Sequence, residues 1–175
     1  AADVPAGSNG LVALPYFSGE RTPINDPLAC GLVIGLTLSH TRGHLYRSFI
    51  EGIGYGIRHN IEAMSEVQAV PQRLVAIGGG AADRLWLQAC SDITGLRQEV
   101  LAATAGAAFG DAYLAGMAAG LFADTATLKD QWVKVTSTVE PNPDHKALYD
   151  ELYGIYRRLY AQTQDEMHRL SRLQH

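Results

Sequence analysis

The sequence predicts a single α/β domain built around parallel strands. A short apolar run at Arg73–Ile77, "RLVAI", meets three consecutive glycines and then the helix-like "DRLWLQACSDIT" of Asp83–Thr94, which together make a strand, turn and helix unit. "RQEVL" at Arg97–Leu101 follows at the spacing with which a helix of that length returns the chain beside the first strand as a right-handed crossover. The 175 residues suffice for one core that buries roughly 70% of the surface exposed by the unfolded chain.

Each element has its own local reason. Pro5, Gly7, Ser8, Asn9 and Gly10 favour turns before the apolar "LVALPYF" of Leu11–Phe17, which reads as extended. "SGERTPINDP" then concentrates Gly19, Pro23, Asn25, Asp26 and Pro27, a composition that sets turns and excludes a helix. "CGLVIGL" at Cys30–Leu36 is a second strand candidate. From Thr41, a capping residue, to Glu66 the chain places Leu45, Phe49, Ile53, Ile57, Ile61 and Met64 at helical spacing. Gly52, Gly54 and Gly56 within that helix each lower its propensity by up to about 1 kcal/mol, which makes sense where another backbone comes close.

A third helix is expected over the small-residue stretch Ala105–Gly120, with Gly120 as its stop. Phe122–Glu140 reads as a short helix containing Trp132 followed by a loop or edge strand. The closing helix follows a proline-rich turn, with Asp144 as its cap and Leu148, Leu152, Ile155, Leu159, Thr163, Met167 and Leu170 on a shared face. Its tyrosines at 149, 153, 156 and 160 wrap around the helix, so they are expected to pack while their hydroxyls reach the surface.

Composition narrows the function. Hydrophobic residues at 47% against 18% charged exclude a disordered class, and so little charge suggests a covered face. The net charge of -4, with no long basic run, excludes a nucleic-acid partner but leaves a nucleotide open, because a few backbone N–H groups can hold a phosphate. Cys30 and Cys90 lie far apart without a CxxC pair, which fits reduced cytoplasmic thiols rather than disulfides or structural zinc. No run of eighteen apolar residues signals a membrane span.

Gly78, Gly79 and Gly80 make either a bland tight turn or a loop that lets a phosphate approach the backbone; composition weighs the two equally. "GGGAADRLW" is neither the dinucleotide nor the P-loop pattern. Glu20, Asp26, Asp83, Asp92 and Asp111 have no spacing that marks an acid–base pair, and Asp83 reads as the cap of the helix after the glycines. His40 and His44 lack the acidic partners of a metal site, and Ser18 and Ser39 lack a nucleophile elbow.

Taken in order, "LPYFSGERTPINDPLACGLVIGLTLSHTRGHLYRSFIEGIGYGIRHNIEAM", "IGGGAADRLWLQACSDITGLRQEV" and "TAGAAFGDAYLAG" resemble the carboxy-terminal domain of FGGY-family carbohydrate kinases, those acting on xylulose above all. The resemblance spans essentially all of residues 1–175. It implies a ribonuclease-H-like domain of the actin-like ATPase superfamily, on the nucleotide side of an enzyme that moves the ATP γ-phosphoryl group to a sugar hydroxyl. D-xylulose is the favoured acceptor, with ribulose, glycerol and gluconate as alternatives; a non-catalytic structural or interaction domain is the alternative of another class.

By the same resemblance, Gly78, Gly79 and Gly80 lie beside the adenosine and its phosphates, with Gly79 and Gly80 on the phosphate side and Ala81 near the nucleoside. Leu85 and Gln88 follow on the next helix, Gln88 as an adenine-side polar contact. Ser18–Pro23 shapes the cleft, without a direct phosphate contact from Arg21. Thr104 and Ala105 stand where the family more often has an acidic residue. The sugar contacts, the general-base aspartate and the Mg2+ ligands are expected on an amino-terminal domain outside this sequence, so no catalytic or metal residue is assigned here. The isolated chain is expected to fold without phosphorylating sugars, and a homodimer is a further expectation.

Overall fold

Strands and helices follow one another in the anticipated order. The computed structural model describes residues 3–102, 107–128 and 132–174. Strands β1 (Val12–Leu14) and β2 (Leu32–Ile34) pair antiparallel with Val12 opposite Ile34. A separate sheet runs in the order β3 (Leu74–Ala76), β4 (Gln98–Leu101), β5 (Val135–Val139). β3 and β4 are parallel, as a crossover requires, whereas β5 joins antiparallel at the edge, with Gln98 opposite Val139.

The crossover is α2 (Arg84–Thr94). Asp83 caps it, its carboxylate accepting from the Leu85 and Trp86 backbone N–H groups, and Gly95 ends it in the left-handed conformation. Of the apolar positions expected to be buried on this helix, Leu87, Ala89, Cys90 and Ile93 are buried and Leu85 is half-buried.

Helix α1 (Arg42–Glu66) begins after Thr41 in a capping box completed by His44. The face it buries is not the expected apolar stripe. Leu45, Phe49, Ile53, Ile57 and Ile61 are only half-buried and Met64 is exposed, while Arg47, Ser48, Ile50, Glu51, Gly52, Gly54 and Tyr55 point inward. The physical reason is that Arg47 and Glu51 neutralise one another one helical turn apart, so the pair can enter the core without an unpaired charge. Close packing on this face explains a glycine: a Cβ on Gly52 would stand 2.5 Å from the Ala13 carbonyl oxygen of β1.

Helix α3 covers Ala107–Ala118, and Gly120 beyond it has φ +77, as a helix stop requires. Thr104, Ala105 and Gly106 lie outside the described residues. Tyr113 and Gly116 form its buried side, with the Tyr113 ring stacked on Phe122 and edge-on to Trp132.

Helix α4 (Lys146–Leu173) is led by one turn of 3-10 helix whose cap is Asn142, accepting from the Asp144 N–H, rather than Asp144 itself. Leu152, Leu159 and Met167 are buried as expected, but Leu148 and Leu170 are exposed. Tyr149, Tyr153 and Tyr156 take the central positions, packing around Tyr55 from α1. The hydroxyls of Tyr149 and Tyr156 turn inward, whereas that of Tyr153 meets the half-exposed Glu62 and Arg157. Tyr149 donates to Glu51, Tyr153 to Glu62, and Tyr156 receives the Tyr16 hydroxyl. Among the described residues no helix is long and apolar enough to cross a membrane.

Candidate functional site

The glycine turn stands between β3 and α2. Gly78 has φ +78 and ψ -169, a region essentially closed to side-chain-bearing residues, and a one-turn 3-10 helix runs from Gly79 to Ala82. The turn holds itself together through the Ala81 N–H to the Gly78 carbonyl and the Asp83 N–H to the Gly80 carbonyl, both 3.1 Å. A Cβ placed on Gly78 or on Gly79 would meet nothing within 4 Å, while one on Gly80 would rest 3.6 Å from the Trp86 ring. The first two glycines therefore present bare backbone to open space, and the third packs against its own helix. Asp83 anchors the turn by capping α2, as expected, with Oδ1 accepting both backbone donors while Oδ2 faces the Tyr46 hydroxyl at 3.5 Å.

The remaining candidates divide. Ala81 is buried and lines a cavity of about 250 Å3 together with Arg84, Leu87, Gln88, Val100 and Thr138. Leu85 is half-buried and packs against the core cluster. Gln88 reaches the same cavity, but both hydrogens of its amide are engaged: Nε2 donates to Asp92 Oδ1 at 2.7 Å and to the Glu140 carbonyl at 3.0 Å. Both partners are pure acceptors, so the orientation of the amide follows, and Oε1 is what Gln88 has left to offer a ligand.

The Ser18–Pro27 turn is a separate structure. Glu20 and Asp26 exchange backbone hydrogen bonds at 2.9 and 2.7 Å, and Arg21, Thr22 and Asn25 are exposed above that bridge. The hollow beside it, about 190 Å3, is lined by Ser18, Glu20, Arg21, Asn25 and Pro27, none of which lines the cavity beside the glycine turn.

Three buried carboxylates hold these pieces in register, and spacing alone marked none of them. Glu51, 1% exposed, accepts from the Gly7 N–H at 2.9 Å, Ser8 Oγ at 2.7 Å, Arg47 Nε at 2.8 Å and the Tyr149 hydroxyl at 2.9 Å. It thereby secures the left-handed run at Gly7, Ser8 and Asn9. Asp92 receives Gln88, the Asn142 N–H and His145 Nδ1, each at 2.7 Å, which ties α2 to the start of α4. Asp26 receives the Leu28 N–H, the Tyr160 hydroxyl and His168 Nε2. The available signal was the helical i,i+4 spacing of Arg47 with Glu51 and of Gln88 with Asp92.

Electrostatics follow burial. Burial alone would lower the Arg47 guanidinium, but Glu51 and Tyr149 outweigh it and hold the group above its ordinary range. Burial pushes the Cys90 thiol up to about 12, which leaves it inert as a nucleophile. His40 and His44 use Nδ1 to accept from the Thr37 and Thr41 N–H groups, so neither ring is free to ligate through that atom. Among the described residues no group of three His, Cys, Asp or Glu side chains is placed to hold a metal ion.

Residues 1–119 match the model of the FGGY family of carbohydrate kinases, C-terminal domain. Over 163 residues the chain is 36% identical to a xylulose kinase of Staphylococcus epidermidis, covering 93% of this chain and 33% of that protein. It is 35% identical over 157 residues to a glycerol kinase of Pseudothermotoga lettingae, covering 89% of this chain and 31% of the relative. The crystal structure of xylulose kinase from Rhodospirillum rubrum superimposes with a TM-score of 0.77 at 35% identity, over 95% of this chain and 33% of that one. The chain thus spans about a third of the length of the relatives it matches.

Proposed function

The chain belongs to the FGGY family of carbohydrate kinases as a C-terminal domain, and from that premise we propose that it forms the nucleotide wall of an ATP-dependent kinase whose acceptor is D-xylulose. The observation that carries this reading is the glycine turn, where Gly78 and Gly79 offer backbone to open space directly before the capped start of α2. A phosphate chain can reach main-chain N–H donors there without meeting a side chain.

In this proposal the chain binds and orients; it does not move the proton. Glu51, Asp92 and Asp26 are buried and each holds three or more donors, and Asp83 gives Oδ1 to its cap, so this reading assigns none of them as the base that accepts a sugar hydroxyl's proton. The base and most acceptor contacts belong to an amino-terminal domain, and the two walls bring the γ-phosphoryl group and the sugar oxygen into line. Ala81 and the Gln88 Oε1 atom border the nucleoside, with Gly79 and Gly80 on the phosphate side. D-xylulose as acceptor is supported by the xylulose kinases among the relatives, while similarity to glycerol kinase makes the choice of sugar the point to test.

Amide hydrogen exchange of the chain with and without MgATP tests the wall: protection is expected at residues 78–82 and not in the Ser18–Pro27 turn. The full-length protein assayed with D-xylulose, ribulose, glycerol and gluconate tests the acceptor, with the highest kcat/KM expected for D-xylulose. A higher value for another polyol moves the acceptor assignment. No ATP effect at the glycines, in chain or full-length protein, favours a non-catalytic domain instead.

A further inference from the structure

Helix α4 lies beyond residues 119, where the family match ends. One of its contacts reaches the Ser18–Pro27 turn. The side chain of Asp26 turns inward and is 6% exposed, the one buried residue of a segment in which Ile24 packs half-buried against the core and the Thr22 carbonyl accepts from Asn60 Nδ2 at 3.2 Å. Its Oδ1 accepts from the Leu28 N–H at 3.0 Å, while Oδ2 accepts from the Tyr160 hydroxyl at 2.8 Å and from His168 Nε2 at 2.7 Å. The two α4 donors stand about two helical turns apart and so share a face.

The network has a direction. Gln164 Nε2 donates to the Tyr160 oxygen at 2.8 Å, which leaves the tyrosine hydrogen free to point at Asp26. His168 faces a carboxylate through Nε2, so that nitrogen carries the hydrogen whether the ring is neutral or charged. Asp26 also exchanges backbone bonds with Glu20, so a pull on its side chain is transmitted to the tip that holds Arg21 and Thr22.

We propose that Tyr160 and His168 are positioning residues that act through Asp26 to hold the Ser18–Pro27 turn in its working shape at the kinase cleft. The proposal rests on the kinase reading given above and on the resemblance by which Ser18–Pro23 shapes that cleft. A general role in stability is a weaker explanation, because α4 is secured independently by buried Tyr149, Leu152, Tyr156, Leu159 and Met167. Loss of the two donors leaves the helix docked and removes the hold on Asp26, while the Asn60 bond to the Thr22 carbonyl and the packing of Ile24 remain.

The test uses the full-length protein carrying Tyr160→Phe, His168→Ala, both together, and His168→Gln, which keeps an N–H donor. In the double variant, amide exchange across residues 19–28 is expected to accelerate about tenfold or more, the scale of losing hydrogen bonds to a charged group, with α1 and α2 unchanged. The same variant is expected to lower kcat/KM for the sugar by about tenfold, with partial recovery in His168→Gln. Unchanged exchange in the turn overturns the clamp. Faster exchange with unchanged kinetics overturns the positioning role while the kinase reading stands. A wild-type protein inactive on every sugar fails the kinase reading and the positioning role with it, and the exchange measurement then still decides whether the clamp exists. Should the double variant not fold, the Tyr160→Phe protein carries the same two measurements.

Discussion

Glu51 and Tyr149 stand 98 positions apart in the chain and 2.9 Å apart in the fold, joined by a hydrogen bond to a carboxylate that is 1% exposed. Because Arg47 shares that carboxylate, Glu51→Gln leaves a buried guanidinium without its counter-charge and is expected to cost about 3–5 kcal/mol. Tyr149→Phe removes one donor among several and is expected to cost about 1.5–3 kcal/mol. Urea unfolding of the two variants checks the order. A Glu51→Gln protein within about 1 kcal/mol of wild type contradicts the paired-charge account.

Acid should loosen the fold through its anchored carboxylates. Burial alone would raise Asp26, but hydrogen bonds from His168, Tyr160 and the Leu28 N–H outweigh it and hold the group below the usual carboxylate range. Asp150 is held low by Lys146 and Arg58. For a depressed folded value the stabilisation is fully present above the unfolded value of roughly 3.9 and is lost as pH falls through the folded one. Unfolding free energy measured from neutral pH downward should therefore drop below about pH 4, and Asp26→Asn should drop less steeply over that interval. An unaltered slope in Asp26→Asn refutes the assignment.

The two open glycines separate stability from binding. Gly78→Ala forces a side-chain-bearing residue into φ +78 and is expected to lose about 1–3 kcal/mol. Gly79→Ala meets open space and should change stability by less than about 0.5 kcal/mol. If ATP approaches this backbone, Gly79→Ala still weakens nucleotide binding by roughly tenfold, since its methyl group occupies the path of the phosphates. Calorimetric titration with MgATP beside thermal unfolding distinguishes the two effects, and unchanged affinity in Gly79→Ala argues against the loop as a phosphate contact.

Within α1, two glycines make opposite predictions. Gly52→Ala drives a methyl group against the Ala13 carbonyl oxygen at 2.5 Å and is expected to destabilise by about 1–3 kcal/mol. Gly56→Ala meets the Tyr156 hydroxyl at an ordinary 3.5 Å and gains helix propensity of up to about 1 kcal/mol. Melting temperatures of the two variants should shift in opposite directions; a shared sign shows that packing at one of the sites is misjudged.

Much of this was legible along the chain. The cap at Asp83 and the start of α1 after Thr41 rest on neighbours within a few residues, where local rules hold, and the return of β4 beside β3 follows from the length of the helix between them. The candidate site was legible as a conformation: the glycines at Gly78–Gly80 announce a turn, and Gly78 takes the positive φ that disfavours a side chain there. Its chemistry was less so, since the amide of Gln88 is engaged by Asp92 and by the Glu140 carbonyl, and that carbonyl lies 52 positions away.

The sequence by itself determined the alternation of elements, the strand, glycine-turn and helix unit, and the kinship those segments carry together. Only the tertiary structure decided which side of α1 faces inward, and that Tyr149 and Tyr156 of α4 point their hydroxyls into the core. The reason is that a polar group's burial depends on a partner, and the partners of Glu51 and Asp26 come from positions up to 98 and 142 residues distant. Periodicity weighs each side chain alone and so assigns Arg47 and Glu51 to water; the fold brings them together with Tyr149 and makes the same residues part of the core.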